Sequence, residues 1–215
     1  MSDLGRRLEA CYSAIVHDIM RAQGHTNFLL PSNIRLVQPE RRLAGPVWTV
    51  EGHVDEGADA HETLLEWTGV LAKARPGHVA VCQPHTHDIA LMGELSSETL
   101  KFRGVSGYVV DGPARDVAQT MQQQFPLACT HFTPKDIVGR WLPHAFDEPV
   151  QIGDVRIHAG DYLLADMDGI CILPRAQAET IVKAAEEAIG TENKVRTAIL
   201  EGMDPQEAYR KYGKF

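Results

Sequence analysis

The strongest constraint on this chain is the stretch 93–125, GELSSETLKFRGVSGYVVDGPARDVAQTMQQQF, which reads as helix, strand, turn and helix in succession. Gly93 opens the first helix and Gly104 closes it, because glycine accepts the left-handed backbone that ends a helix. SGYVVD is short, apolar and rich in β-branched residues, the pattern of a buried strand. Gly112 and Pro113 mark the next turn, and Pro113 suits the first position of the helix that follows. HVAVCQ, upstream, reads as another short buried strand. Strands joined through a helix form a βαβ-like crossover, so the chain belongs to the α/β class.

The flanking segments fit the same class. Leu8, Cys11, Ile15 and Ile19 recur every three or four residues, predicting one amphipathic helix over the first twenty-odd residues, ended by Gly24. After a turn-rich stretch over 31–45, VWTVEGHV alternates like a strand and HETLLEWTGVLAKAR has helical spacing. PVQIGDVRIHAGDYLLADMDGICILP, punctuated by Gly153, Gly160 and Gly169, predicts a hairpin-rich β region, with Asp166 and Asp168 in a turn. AQAETIVKAAEEAIGTENKVRTAILEG is helical, and Asp204 to Tyr212 predicts one further short helix. No repeat or long linker divides the chain, so a single domain over residues 1–215 is expected.

Composition excludes several function classes. Apolar residues make up 44% and charged residues 23%, which suits a globular protein and not a disordered one. Lys and Arg number 21 against 29 Asp and Glu, a net charge of −8, which argues against a nucleic-acid partner, since phosphate binding needs clustered cations. Cys11, Cys82, Cys129 and Cys171 form no CxxC pair and read as buried thiols of a reducing compartment. Arg6, Arg7, Glu9, His17 and Asp18 interrupt the apolar residues of the N-terminal segment, and no run approaches the ~20 apolar residues of a membrane span. A cytoplasmic protein without a membrane partner is expected.

Two strand-to-helix turns carry candidate chemistry. Free N–H groups at a helix start favour an anion, so Gly93-Glu94-Leu95-Ser96 can hold a substrate carboxylate; alternatively, Gly93 only shapes the turn and Ser96 caps the helix. In Asp111-Gly112-Pro113-Ala114-Arg115-Asp116, neighbours on a helix point apart. Arg115 is then free to clamp a carboxylate while Asp116 takes a divalent ion, unless Asp116 merely complements its own helix dipole.

Glu94 and Arg115 are separated by twenty residues, giving E-x20-R-D. This pattern, with RGVSGYVVDGPARD as its most specific part, closely resembles the RraA-like superfamily. That superfamily's enzymatic branch includes 4-hydroxy-4-methyl-2-oxoglutarate/4-carboxy-4-hydroxy-2-oxoadipate aldolases. SAIVHDIM, LAGPVWTV, FPLACTHFTP, GDYLLADMDGICILP and the C-terminal helix also resemble family positions in order, so nearly the whole chain is covered.

The resemblance implies a three-layer ββα sandwich assembling as a homotrimer or homohexamer, with active sites between subunits. It implies that the amides of Gly93, Glu94, Leu95 and Ser96 bind the 2-oxo acid and that Arg115 binds near its carbonyl. Asp116 would contact Mg2+ or Mn2+ directly, with waters completing the shell. Glu94 stands where the aldolases more usually have aspartate, and Gln119 where members often have an acidic residue. Glu192, on the C-terminal helix, resembles a glutamate that reaches a neighbouring subunit's metal waters; its alternative is a solvated face beside Glu186, Glu187 and Lys194.

The function implied is a divalent-metal-dependent lyase that cleaves a 4-hydroxy-2-oxo acid to pyruvate or a relative, or decarboxylates oxaloacetate. Both reactions develop an enolate that the metal and Arg115 stabilise, and a water steered by Glu94 or Glu192 serves as base. The regulatory branch, which inhibits ribonuclease E, tends to lack parts of the acidic signature that this chain retains. A non-catalytic regulator, or a metal-dependent dehydratase, isomerase or decarboxylase of another sugar-derived acid, is the alternative.

Two further features stand outside the signature. His85 and His87 in QPHTHD have the spacing that puts two imidazoles on one side of a strand, with Asp88 adjacent, and a role facing the substrate is expected before a second metal site. Arg140 is a candidate second carboxylate clamp or a stacking partner of Trp141.

Overall fold

The computed structural model describes residues 2–215. Its hub is the twelve-residue strand β2 (Leu43–Val54), preceded by helices α1 (Asp3–Ala10) and α2 (Ser13–Ala22) and the short strand β1 (Arg35–Leu36). There follow α3 (Ala60–Lys73), β3 (Val79–Gln83), α4 (Glu94–Phe102), β4 (Gly107–Val110), α5 (Val117–Gln122) and β5 (Leu127–Cys129). Strands β6 (Trp141–Phe146), β7 (Val150–Ile152), β8 (Val155–Ile157), β9 (Tyr162–Ala165) and β10 (Ile170–Leu173) lead to α6 (Ala178–Leu200) and α7 (Pro205–Tyr212).

The main sheet runs β1-β5-β4-β3-β2-β9-β10, with β6 also on β2, and β7 and β8 form a separate hairpin. Strands β2 to β5 are mutually parallel, as the crossover in the sequence requires, whereas β9 and β6 lie antiparallel along successive halves of β2. Alternation assigns the two faces. Val79, Val81 and Val109 point with Leu163 and Ile170 toward the β7–β8 hairpin. Ala80, Cys82, Tyr108 and Val110 point the other way, against Trp67 and Leu71 of α3 and Leu100 of α4. Further along that face, Ala44, Leu164 and Cys171 meet α1, α2 and α6. Helices, main sheet and hairpin make the three layers, and each buried aliphatic side chain contributes about 1.5–3 kcal/mol by leaving water.

Two local expectations are corrected. The N-terminal helix is two helices, because Cys11 (ψ −179°) and Tyr12 (ψ 154°) are extended. The buried Asp166 carboxylate holds the break, accepting from the Ser13 backbone N–H at 2.7 Å and the Ser13 hydroxyl at 2.6 Å, as well as from Asp168 N–H at 3.0 Å. Asp166 is thus both the expected turn residue of the β9–β10 hairpin and an anion at the start of α2. Leu8, Cys11 and Ile15 remain buried through the kink, so their spacing is that of a core stripe. Pro113 lies in the turn and not at a first helical position, since α5 starts only at Val117.

All four cysteines are free and buried, and burial pushes the Cys82, Cys129 and Cys171 thiols up to about 12. Among the described residues, no helix is long and apolar enough to cross a membrane.

Candidate functional site

Parallel pairing of Val79–Cys82 with Gly107–Val110 brings the turns after β3 and β4 out at the same end of the sheet. Backbone bonds lace them together: Leu91 N–H donates to the Pro113 carbonyl at 3.2 Å and Arg115 N–H to the Met92 carbonyl at 2.8 Å. Two segments twenty residues apart thereby become one surface, lining a cavity of about 480 Å3 with α3 and the loop around Ile137. Gly93, Glu94, Leu95, Ser96, Arg115 and Asp116 all line it.

Gly93 is the N-cap residue of α4 and makes no side-chain cap. Ser96 does not cap the helix either; its hydroxyl accepts from the Trp67 indole N–H at 2.9 Å. The first-turn amides of α4 have no acceptor within the helix, and that of Glu94 instead donates to Asp116 Oδ2 at 3.2 Å. A Cβ on residue 93 would stand 2.6 Å from that same oxygen and 3.1 Å from Arg115 Cγ and Nε, so only glycine leaves the carboxylate in place.

Asp116 adopts a left-handed conformation (φ 51°, ψ 38°) at the start of α5 and gives that helix no side-chain cap. A non-glycine residue held there is strained, and such strain persists only where the surroundings impose it. The expectation that Arg115 and Asp116 point apart on a helix is overturned, because the pair precedes α5 and the left-handed turn brings Asp116 Oδ2 to 3.5 Å from Arg115 Nε. On its other side, Arg115 Nη1 lies 3.4 Å from Asp136 Oδ2. The half-buried guanidinium therefore sits between two carboxylates at ion-pair distance. Asp136 was not among the sequence candidates; the trace it left is an acidic residue in the loop TPKDIVG just before Arg140-Trp141.

Other candidates lie elsewhere. His85 Nε2 is 2.7 Å from Glu51 and His87 Nε2 3.0 Å from Asp111, and neither imidazole lines the cavity. Asp88 and Gln119 are likewise outside its lining. Arg140 is exposed and outside the cavity lining, and Trp141 is fully buried, its indole donating to the Pro84 carbonyl and its ring edge-on to Trp67, so among the described residues Arg140 neither lines the cavity nor stacks on Trp141. Glu192, on α6, accepts a hydrogen bond from the Tyr12 hydroxyl and lies 3.4 Å from Lys214 Nζ. Burial and that glutamate push the Tyr12 phenol up to about 12. Within one copy of the chain, Glu192 is not part of the cavity wall.

The donor set tests the expected ion. Asp116 offers a carboxylate uncommitted to its own helix, bonded to the backbone amide of Glu94, and no group of three or more His, Cys, Asp or Glu side chains able to hold a metal occurs among the described residues. One or two carboxylates with water filling the remaining positions is the preference of Mg2+, not of a protein-caged zinc, so these residues fit Mg2+ or Mn2+.

Residues 13–172 match the RraA-like family, described as Aldolase/RraA, and the chain belongs to that family. A Halalkalibacterium halodurans protein named "Putative 4-hydroxy-4-methyl-2-oxoglutarate aldolase" is 26% identical over 191 residues, covering 86% of this chain and 84% of its own. Protein DlpA of Legionella pneumophila is 25% identical over 99% of the chain, which spans only 34% of DlpA. The crystal structure of Streptomyces coelicolor RraAS2, described as an unusual member of the RNase ES inhibitor RraA protein family, superposes with a TM-score of 0.80 at 27% identity, covering 92% of this chain and 98% of that one. The three-layer architecture is thus the RraA-like fold.

Proposed function

We propose that this protein is a divalent-metal-dependent lyase that cleaves a 4-hydroxy-2-oxo acid by retro-aldol chemistry to pyruvate or a related oxo acid, and that the same site suits oxaloacetate decarboxylation. The observation that carries the reading is Asp116. Its strained backbone turns the carboxylate away from its own helix and toward the first amide of α4, where Gly93 alone leaves room for it. A structural cap needs none of this. The aldolase names of relatives such as the H. halodurans protein point the same way.

In this reading Asp116 would hold Mg2+ or Mn2+, and a divalent ion there would supply positive charge for an enolate oxygen. Arg115 binds the substrate at its carbonyl, its guanidinium already oriented by Asp116 and Asp136. The amides of Gly93, Leu95 and Ser96, at a helix N-terminus, receive the substrate carboxylate, joined by that of Glu94 when it gives up its bond to Asp116. Glu94 steers the proton leaving the 4-hydroxyl. Glu192 takes part from a second copy of the chain, so the active form is a homo-oligomer, a trimer or hexamer.

The test is pyruvate release from a panel of 4-hydroxy-2-oxo acids. Chelation should abolish turnover and Mg2+ or Mn2+ restore it, while Asp116→Asn folds normally and stays inactive. Full activity in excess EDTA would overturn the metal role. The likeness to RraAS2, of an RNase ES inhibitor family, supports a second reading, a non-catalytic regulator of a ribonuclease. That reading gains if no panel member is cleaved while a ribonuclease is inhibited.

A further inference from the structure

The ends of β2, β3 and β4 carry polar groups that the cavity does not use. Alternation puts Val50, Cys82 and Val110 on the face covered by α3 and α4, so Glu51, Gln83 and Asp111 fall on the other face. Glu51 and Gln83 are in register, and the Gln83 amide donates to Asp111 at 3.1 Å. Imidazoles gather around this row. His85 and His87 are held by Glu51 and Asp111, which leaves His53 and His144.

A β-bulge aims these two at each other. Glu51 pairs with Ala145 and Gly52 with Pro143, so His144 is an extra residue of β6 that stands opposite no residue of β2. It meets Glu51 and His53, which lie two apart on one face of β2. Gly52, between them, faces the other way, where a Cβ would collide with the Trp141 ring.

The pair has the spacing of two ligands on one ion. His53 Nδ1 and His144 Nδ1 face each other at 3.3 Å. Zinc–nitrogen bonds of about 2.0–2.1 Å at a tetrahedral angle put two ligand nitrogens about 3.3–3.4 Å apart. The Glu51 carboxylate selects the tautomer: its Oε2 lies 3.7 Å from His144 Nε2, which favours the proton on that nitrogen and leaves a lone pair on Nδ1. A carboxylate behind the far nitrogen is how a metal-binding imidazole is commonly oriented.

We infer that His53 and His144 bind one divalent transition-metal ion through their Nδ1 atoms, with Glu51 orienting His144 and water completing the shell. The site lies outside the cavity and is independent of the lyase reading. Imidazole ligands suit zinc, nickel or copper and carboxylates suit magnesium, so this pair and Asp116 take different ions. Two protein ligands leave coordination positions open, unlike a closed structural zinc centre. The ion ties β2 to β6 across the bulge and stabilises the native chain by binding it in preference to the unfolded one.

Calorimetry of the untagged protein with Zn2+, in excess Mg2+, tests the site. One ion per chain should bind with micromolar affinity, and Asp116→Asn should bind it equally well. Glu51→Gln should weaken binding about 10-fold or more, and His53→Ala and His144→Ala at least as much. His158→Ala, exposed beside Asp161, is the control and should change nothing. Zn2+ should also raise the melting temperature of the wild type but not that of the His53→Ala/His144→Ala double variant. Both histidines are exposed, so these changes spare the core, and melts without Zn2+ check the fold. Absence of saturable Zn2+ binding would reduce the pair to an N–H···N hydrogen bond and overturn the inference. Affinity unchanged in both histidine variants, or lost in Asp116→Asn, would overturn it equally, and unchanged affinity in Glu51→Gln would remove the carboxylate from the site.

Discussion

Replacing Gly93 with alanine separates a folding role of the α4 turn from a chemical one. The backbone at residue 93 is extended (φ −139°, ψ −175°), so an alanine meets no torsional penalty, and the whole effect lies in the new Cβ. That atom would stand 2.6 Å from Asp116 Oδ2, and reaching ordinary contact moves the carboxylate by roughly 1 Å. Because the displaced atom is the tip of an exposed side chain, the fold loses little: one hydrogen bond from Glu94 N–H, about 1 kcal/mol or less at this exposure. Reduced freedom of the unfolded chain offsets about 0.4–1 kcal/mol of that, so the melting temperature should scarcely move. Chemistry is far more sensitive, and a 1 Å misplacement costs about 100-fold in rate, or ~2.7 kcal/mol. Coupled pyruvate detection across a Mg2+ titration, alongside thermal melts, measures both quantities. A Gly93→Ala protein with kcat/KM within about threefold of wild type would refute the reasoning, because the crowding of Asp116 would then be without consequence.

Three other outcomes are expected. Arg115→Lys keeps the charge but loses the planar fork between Asp116 and Asp136, so kcat/KM should fall at least ~10-fold, or ~1.4 kcal/mol; unchanged kinetics would remove Arg115 from the site. Asp166→Ala strips three acceptor contacts from the α2 start and the β9–β10 turn and should cost about 2–3 kcal/mol in urea unfolding, where a loss below about 0.5 kcal/mol would deny the carboxylate its anchoring role. Burial raises the Cys82, Cys129 and Cys171 thiols from 9.0 to about 12, so between those values the folded chain keeps protons that the unfolded chain sheds. Stability should therefore fall as pH rises through that window, and a urea midpoint constant from about pH 9 to 11 would contradict it.

What the sequence discloses follows the range of the interactions responsible. The βαβ segment was legible because Gly104, the apolar run of β4 and the helical spacing around it are local signals that the tertiary fold upholds. The break in the N-terminal helix was not, since periodicity continues through Cys11 and the group that stabilises the break, Asp166, lies 153 residues from Ser13. The same limit applies to the site. Gly93, Glu94 and the Arg115-Asp116 pair stood out as turn residues in a recognisable spacing, and they meet around one cavity. The left-handed backbone of Asp116 had no local signature, because aspartate tolerates that conformation but does not require it. Asp136 and the α3 wall entered the site purely through packing. The His85–His87 motif erred in the other direction: its spacing was suggestive, but Glu51 on β2 and Asp111 just after β4 already engage both rings.

The sheet explains why the reactive groups converge where they do. In a parallel sheet every strand delivers its following turn to the same edge, so β3 and β4 place a helix N-terminus and a strained Arg-Asp pair side by side without a dedicated scaffold. The backbone bonds from Leu91 to Pro113 and from Arg115 to Met92 then fix the distance between the turns. Asp116 stands at the N-cap of α5 and does not cap it, and α4 starts from Gly93, which has no side chain to cap with. Two helix starts forgo that stabilisation at the same point of the molecule, and one of the two residues bears backbone strain as well. Such a pairing is costly in a merely structural turn, and the proposed lyase would use it to hold a hydrated cation beside the Arg115 guanidinium.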